Sequence, residues 1–210
     1  MPNMNNKNFL QKAFNENGYH FSEEILEKFF RYVELLQQWN RVYNLTAIQD
    51  FHDIIYLHLL DSLSISPYLH GSRVIDVGTG AGLPGMLLAL IHPEKQFVLL
   101  DSNSKKTTFL TQAMIELNIK NIDVIHARCE AYLPTQKFDS VLSRAFSSLQ
   151  SMLENTKNLV AVHGQFLAMK GVYPEQEIQD ISAEFNLITV HKLTIKGLDA
   201  ERHLVCLELK

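Results

Sequence analysis

Four glycines fall within eight residues of the stretch VIDVGTGAGLPG, at Gly78, Gly80, Gly82 and Gly85, with a carboxylate just before them at Asp76. A turn stripped of side chains lets backbone approach a ligand closely. A phosphate-binding P-loop would need Lys and then Ser or Thr after its last glycine, but Met86 and Leu87 follow Gly85. The spacing Gly80-x-Gly82-x-x-Gly85 has the form of the dinucleotide fingerprint. Asp101, at the end of the next apolar run, stands where an acid binds ribose hydroxyls. Both a nicotinamide dinucleotide and S-adenosylmethionine carry an adenosine, so Asp101 does not separate them.

Asp76 is the residue that favours one over the other. Inside the first strand, it is expected near the polar end of the ligand. Beside a pyrophosphate a carboxylate repels, where a helix N-terminus is suited to anions. Beside a sulfonium and an ammonium it attracts. The glycines and two acids therefore favour S-adenosylmethionine over a dinucleotide. A merely structural turn is the bland alternative, and four glycines would then weaken the segment with no return. Pro84 suits the first turn of the following helix.

Other reactive side chains are sparse. Nine histidines invite a metal reading, but His52 and His58 are six apart and no zinc-type spacing occurs, so no metal is expected. Cys129 and Cys206, far apart, suit a reduced, cytoplasmic protein. His58 and Asp61, one helical turn apart, either pack over the glycine loop or cap the helical segment. Lys105, Lys106, Arg128, Lys170 and Arg202 make a nucleic-acid-facing cluster if their loops converge, and scattered solvated charges if they do not. Phe29 and Trp39 are read as core.

These groups must be positioned by two kinds of element. Up to about residue 70 the pattern is helical. Ile25, Phe29, Val33, Leu36 and Trp39 recur every three or four residues. Ser22 is the expected N-cap, NRVYNLT (40–46) the exit, and 53–65 a second helix. From residue 73, β-branched runs at 73–77, 96–101, 122–127, 138–143 and 164–170 alternate with helical segments at 84–91, 105–118, 148–159 and 174–185. Such alternation implies βαβ units and a parallel sheet. Two final runs, 187–195 and 203–209, lack a helix between them and predict an antiparallel hairpin. The expected fold is α/β, a Rossmann-like, mostly parallel sheet with a C-terminal antiparallel hairpin, preceded by an N-terminal helical extension. The expected division is 1–70 and 71–210, at HGSR.

Composition sets the limits. The 210 residues are 46% hydrophobic and 20% charged, a globular balance. No apolar run reaches the roughly 18 residues of a membrane span, and the N-terminal stretch lacks the apolar core of a secretion signal. A net charge of −4 argues mildly against a free-standing, non-specific nucleic-acid binder.

In order along the chain stand WNRVYNLT (39–46), HLLDS (58–62), IDVGTGAGLPG (75–85), LLDSNSKK (99–106), SRAF (143–146), MKG (169–171) and ERHLV (201–205). Together they resemble the ribosomal RNA small subunit methyltransferase G family, also called the glucose-inhibited division protein B family. The resemblance implies a class I S-adenosylmethionine-dependent methyltransferase acting on nitrogen 7 of a guanine in the 530 loop of 16S rRNA, in the small ribosomal subunit. It carries the cofactor site onto Gly78, Leu83, Cys129, Glu130 and Arg144, beside Gly80 and Asp101 from the glycine-loop reading. Cys129 is read as a backbone contact. Arg144 is read as gripping the methionine carboxylate or an RNA phosphate, or as a surface salt bridge.

The absences agree. Exocyclic amino methylation usually goes with an Asn- or Asp-Pro-Pro-aromatic stretch after the fourth strand, where this chain has SRAF. Pyrimidine carbon methylation needs a cysteine nucleophile; Cys129 is on the wrong loop and Cys206 reads as core. Guanine nitrogen 7 carries a lone pair and no proton. Direct in-line displacement with no general base is therefore expected, the protein mainly positioning the reactants. The rivals are an NAD-linked oxidoreductase, a non-catalytic S-adenosylmethionine-binding module, and methylation of a protein or small molecule. A monomer is expected.

Overall fold

The computed structural model describes residues 4–144 and 146–210. Met1–Asn3 and Ala145, the third residue of SRAF, lie outside the described residues. The strands are β1 (Arg73–Val77), β2 (Gln96–Asp101), β3 (Ile122–His126), β4 (Phe138–Ser143), β5 (Val160–Lys170), β6 (Phe185–Leu193) and β7 (Arg202–Leu209). They form one seven-stranded sheet in the order β3-β2-β1-β4-β5-β7-β6. The first five run parallel; β7 pairs antiparallel with both β5 and β6. This is the mostly parallel sheet with a C-terminal hairpin that the alternating pattern predicts. β1, β2 and β4 are near-continuous apolar runs because both of their faces are covered.

Helices α5 (Gly85–Ile91), α6 (Ser104–Glu116) and α7 (Leu149–Thr156) connect successive strands. The segment expected to be helical over 174–185 shortens to α8 (Glu175–Gln179). Phe185 pairs with Leu209 and packs on Phe166, and Ser182 N–H donates to the Gln150 side chain at 2.9 Å. Sheet pairing thus takes the chain out of the helix.

The N-terminal region begins with α1 (Met4–Glu16), which the stripe pattern does not single out. α2 (Glu23–Tyr43) carries the expected stripe, with Phe29, Val33 and Leu36 buried, and Ile25 and Trp39 partly so. Ser22 caps it by accepting from Ile25 N–H, and Asn44 ends it in the left-handed conformation. The second expected helix is a composite: α3 (Phe51–Ile54), a π-helical segment (Ile55–Leu60) and α4 (Asp61–Leu63). Short π segments often mark functional sites, because the widened turn re-aims side chains.

Neighbouring strand residues face opposite sides of the sheet. Val74, Leu99 and Leu142 join one large core with Leu10, Phe14, Phe29 and Leu36 of the N-terminal helices and with α5 and α6. Ile75, Val98 and Val141 join a smaller core with Leu149, Met152 and Leu153 of α7. α5 and α6 thus cover one face of the sheet, and the N-terminal helices pack on α5 and α6 in turn.

Candidate functional site

β1 lies between β2 and β4, and the chain order reverses there. In open α/β sheets ligands bind at such a reversal, beyond the carboxyl ends of the strands. The glycine loop leaves β1 at this point. Gly78 and Thr79 donate backbone N–H bonds to Leu100 O at 2.8 and 3.2 Å. Gly78 (φ 69°) and Gly80 (φ 63°) adopt the left-handed conformation that costs a side-chain-bearing residue about 1–2 kcal/mol. A Cβ on Gly85 would overlap Leu99 and Asp76. From the other side, the wholly buried Tyr32 of α2 donates its hydroxyl to Ala81 O at 2.8 Å.

Asp101 ends β2 and is fixed by backbone. Its Oδ2 accepts Gly80 N–H at 2.9 Å, its Oδ1 accepts Asn103 N–H at 2.8 Å, and Lys106 Nζ stands 3.7 Å away. It borders a cavity of about 170 Å³ beside Gly78. Val77, Leu100, Ala127 and Phe146 supply apolar walls; Ser102, Arg128, Cys129 and Glu130 supply a polar rim. The slot can take a flat aromatic ring between apolar walls, with vicinal hydroxyls against Asp101.

Cys129 and Glu130 sit in a short 3-10 turn (Cys129–Ala131) after β3. The thiol stands 3.5 Å from the Glu130 carboxylate. Burial and that carboxylate push the Cys129 pKa up, which keeps it a thiol.

Asp76 requires a correction. Its side chain belongs with Val74 on the α5 face, one residue out of step with Ile75 and Val77. Fully buried, it turns under the loop, where Oδ2 accepts from Thr79 Oγ1 at 2.7 Å and Gly85 N–H at 2.8 Å. Oδ1 has no partner among the described residues. Burial raises its pKa to about 6, against the two hydrogen bonds. Asp76 braces the turn and does not border the cavity, so the electrostatic argument built on it falls. Leu83 likewise packs into the core; its N–H is used by Thr79 O at 3.0 Å, and a cis bond to Pro84 follows it.

A second cavity, of about 460 Å³, adjoins the first across Phe146, which lines both. The π-helical segment supplies Leu57 and His58, and Asp61 follows it. Arg144 comes from the end of β4, Met169 and Lys170 from the end of β5, and Arg202 from the start of β7. The buried Asp61 carboxylate is bracketed: Arg144 Nη1 lies 3.1 Å from Oδ2 and Arg202 Nε 2.8 Å from Oδ1. Arg144 lines this second cavity, its partly exposed guanidinium paired with the buried Asp61.

His58 is committed on both nitrogens. Nδ1 lies 3.0 Å from Leu57 O, a pure acceptor, which puts the proton on Nδ1. Nε2 then accepts from Thr46 Oγ1 at 2.8 Å. Burial, then Arg144, lowers its pKa to about 4. Of the two roles open to His58 and Asp61, packing over the glycine loop or capping, neither describes them: both face the second cavity.

The five basic residues divide. Arg128 borders the first cavity, Lys170 and Arg202 the second, Lys106 approaches Asp101, and Lys105 is exposed and lines neither cavity. Lys170 is paired with Glu177 at 2.7 Å. Among the described residues, no group of three or more His, Cys, Asp and Glu is placed to hold a metal ion, and no helix is long and apolar enough to cross a membrane. Sequence reasoning missed Tyr32, hidden within a helix stripe, and the bracketing of Asp61, whose partners lie 83 and 141 residues away.

Residues 25–205 match the family described as rRNA small subunit methyltransferase G. The chain is 48% identical over 201 residues to the ribosomal RNA small subunit methyltransferase G of Marinomonas sp. (strain MWYL1), covering 96% of this chain and 97% of that one. It is 45% identical over 196 residues to the protein so named from Psychromonas ingrahamii, covering 93% and 95%. Among solved structures it resembles a SAM dependent methyltransferase from Aquifex aeolicus, with a TM-score of 0.58, 17% identity, and 74% and 92% of the two chains covered. At that identity the likeness is one of fold.

Proposed function

The chain belongs to the rRNA small subunit methyltransferase G family, and from that premise we propose how its residues divide the work. It is an S-adenosylmethionine-dependent rRNA methyltransferase. The single observation that carries this into the structure is the largely apolar cavity at the strand-order reversal, lined by Asp101 and by bare backbone at Gly78. Such a slot fits an adenosine. When bound, S-adenosylmethionine supplies a methyl group activated by a sulfonium.

Asp101, held open to the slot by Gly80 and Asn103, receives the ribose hydroxyls. Gly78 allows close approach, and Cys129 and Glu130 border the base through the 3-10 turn. Leu83, which the family resemblance places in the cofactor site, lies in the core behind the loop, where its N–H donates to Thr79 O. Arg144 stands beside Phe146 where the two cavities adjoin.

We take the acceptor to be nitrogen 7 of a guanine in the 530 loop of 16S rRNA. The family resemblance supports this choice. So do the side chains around the site, since that nitrogen has no proton to remove and both histidines lining the second cavity are engaged, His58 with Thr46 and Leu57 O, its pKa lowered by burial, and His203 through Nδ1 with Gly171 O. Cys206 is buried in β7 with its pKa pushed up to about 11, unsuited to nucleophilic attack. The chain's contribution is positioning, with no general base. A structured small-subunit particle, rather than naked rRNA, is the preferred substrate, in keeping with the net charge of −4. Residues 1–70 act as an extension that completes the 71–210 domain; the enzyme works as a cytoplasmic monomer.

The test is transfer of tritiated methyl from S-adenosylmethionine to small subunits from cells lacking this protein. Borohydride and aniline cleavage then locates any 7-methylguanosine. Label elsewhere, or none, overturns the acceptor assignment.

A further inference from the structure

The second cavity has no role in holding an adenosine, yet it shares Phe146 with the slot that does. At about 460 Å³ it is the larger of the two and falls within the size range of small-ligand sites. Ile48, Leu57, Phe146, Met169 and Leu193 give its lining apolar surface. Its polar lining is the Asp61, Arg144 and Arg202 group with His58, Lys170 and His203. One carboxylate against two guanidiniums leaves one positive charge uncompensated. Lys170 adds nothing to this, being neutralised by Glu177.

The guanidiniums are held in place but not used up. Arg144 spends Nη1 on Asp61 and Leu57 O, while Arg202 spends Nε on Asp61 and Nη1 on Glu201 O. Among the described residues, Nε and Nη2 of Arg144 and Nη2 of Arg202 have no acceptor. Apolar lining together with planar N–H donors and a surplus positive charge fits a nucleotide: base against the apolar side chains, phosphate on the forks. An enzyme working on one base must also turn that base out of its stack into a pocket.

We propose that this cavity receives the target nucleotide of the RNA, that Arg202 grips its phosphate, and that Asp61 is a positioning residue that sets the Arg202 and Arg144 forks. The inference rests on the rRNA methyltransferase reading and names the subsite for the acceptor. It also gives the N-terminal helical region a part in substrate recognition, since Asp61 and His58 come from it. Asp61 reaches Arg144 from the central sheet and Arg202 from the hairpin, so one carboxylate joins three parts of the chain at the acceptor site.

Full-length Arg202→Gln is compared with wild type on small subunits lacking the methyl group. The KM for subunits rises roughly tenfold or more, the loss of one charge-assisted contact, while the S-adenosylhomocysteine Kd, which also reports folding, stays within about twofold. The slope of log affinity against log salt falls by about one phosphate contact. Asp61→Asn raises the same KM, and the double variant is less than the product of the two, as for groups acting through each other. Unchanged subunit KM, or a parallel loss of S-adenosylhomocysteine binding in a folded Arg202→Gln, overturns the proposal.

A second measurement uses wild type alone, in case the variants do not fold. Guanosine 5′-monophosphate inhibits competitively against subunits and not against S-adenosylmethionine, and guanosine without phosphate inhibits more weakly. Equal inhibition by the two, no inhibition by either, or competition with S-adenosylmethionine, overturns the subsite. If wild type transfers no methyl to subunits at all, the rRNA reading itself fails. Transfer that Arg202→Gln leaves untouched removes only the inference.

Discussion

Tyr32 donates its hydroxyl to the carbonyl of Ala81 at 2.8 Å, and so ties the middle of α2 to the middle of the glycine loop. The ring is wholly buried, and burial pushes its pKa well up, so it acts only as a neutral donor. A loop rich in glycine has many conformations to lose on ordering; this bond removes some of them from outside the loop. Tyr32→Phe leaves a buried carbonyl without its partner. The expected loss is about 1–2 kcal/mol of unfolding free energy, read by urea denaturation, with weaker S-adenosylhomocysteine binding alongside. Unchanged stability would mean that the loop holds itself.

Asp101→Asn keeps the shape of the side chain and removes its charge. Ribose hydroxyls then lose a charged acceptor, typically about 1.5–3 kcal/mol, or roughly 10- to 100-fold in Kd. Calorimetric titration with S-adenosylhomocysteine reads this directly, and NADH should show no binding to either protein. Equal affinity for wild type and variant would remove Asp101 from the ribose contact.

Gly78→Val places a branched side chain at φ 69° on the wall of the first cavity. Strain of about 1–2 kcal/mol is expected from the backbone alone. S-adenosylhomocysteine binding should be lost while circular dichroism still shows a folded chain. A folded variant that binds normally would mean the glycine loop serves only the turn.

Two buried groups give opposite pH responses over nearly the same window. His58 has its pKa lowered to about 4 from 6.5, so the folded state prefers it neutral. Its contribution is present above pH 6.5 and is lost as pH falls towards 4. Asp76 has its pKa raised to about 6 from 3.8, so its contribution is present below pH 3.8 and is lost as pH rises through 6. The two offset each other in wild type. His58→Gln should therefore become less stable than wild type as pH is raised from 4 to 6.5, relative to their difference at pH 4, by up to about 3 kcal/mol. Asp76→Asn should gain relative to wild type over the same rise. Denaturation at a series of pH values checks both; parallel curves for all three proteins would contradict the assignment.

The strands were the legible part of the sequence. β1, β2 and β4 stand where continuous apolar runs lie between polar and glycine-rich breaks, since strands buried on both faces admit little else. Asp76 misled because period-two alternation says which residues share a face, not what lies against that face. The ligand slot opens at the strand ends, and the carboxylate faces α5 instead. The second cavity was not legible as a unit. Asp61, Arg144 and Arg202 meet through sheet order, and nothing local to any one of them marks the other two. The short α8 and the π segment have the same origin, since long-range packing decides where those helical patterns stop and how they turn.

The single large core under the N-terminal helices has a consequence for anyone dividing the gene. Leu10, Phe14, Phe29 and Leu36 share one core with α5 and α6, on which the N-terminal helices pack. A fragment beginning near residue 71 would present that greasy surface to solvent, and we expect it to precipitate on expression rather than survive as a smaller enzyme. Supplying residues 1–70 as a separate polypeptide should restore solubility, as split halves of one folding unit do when they find each other.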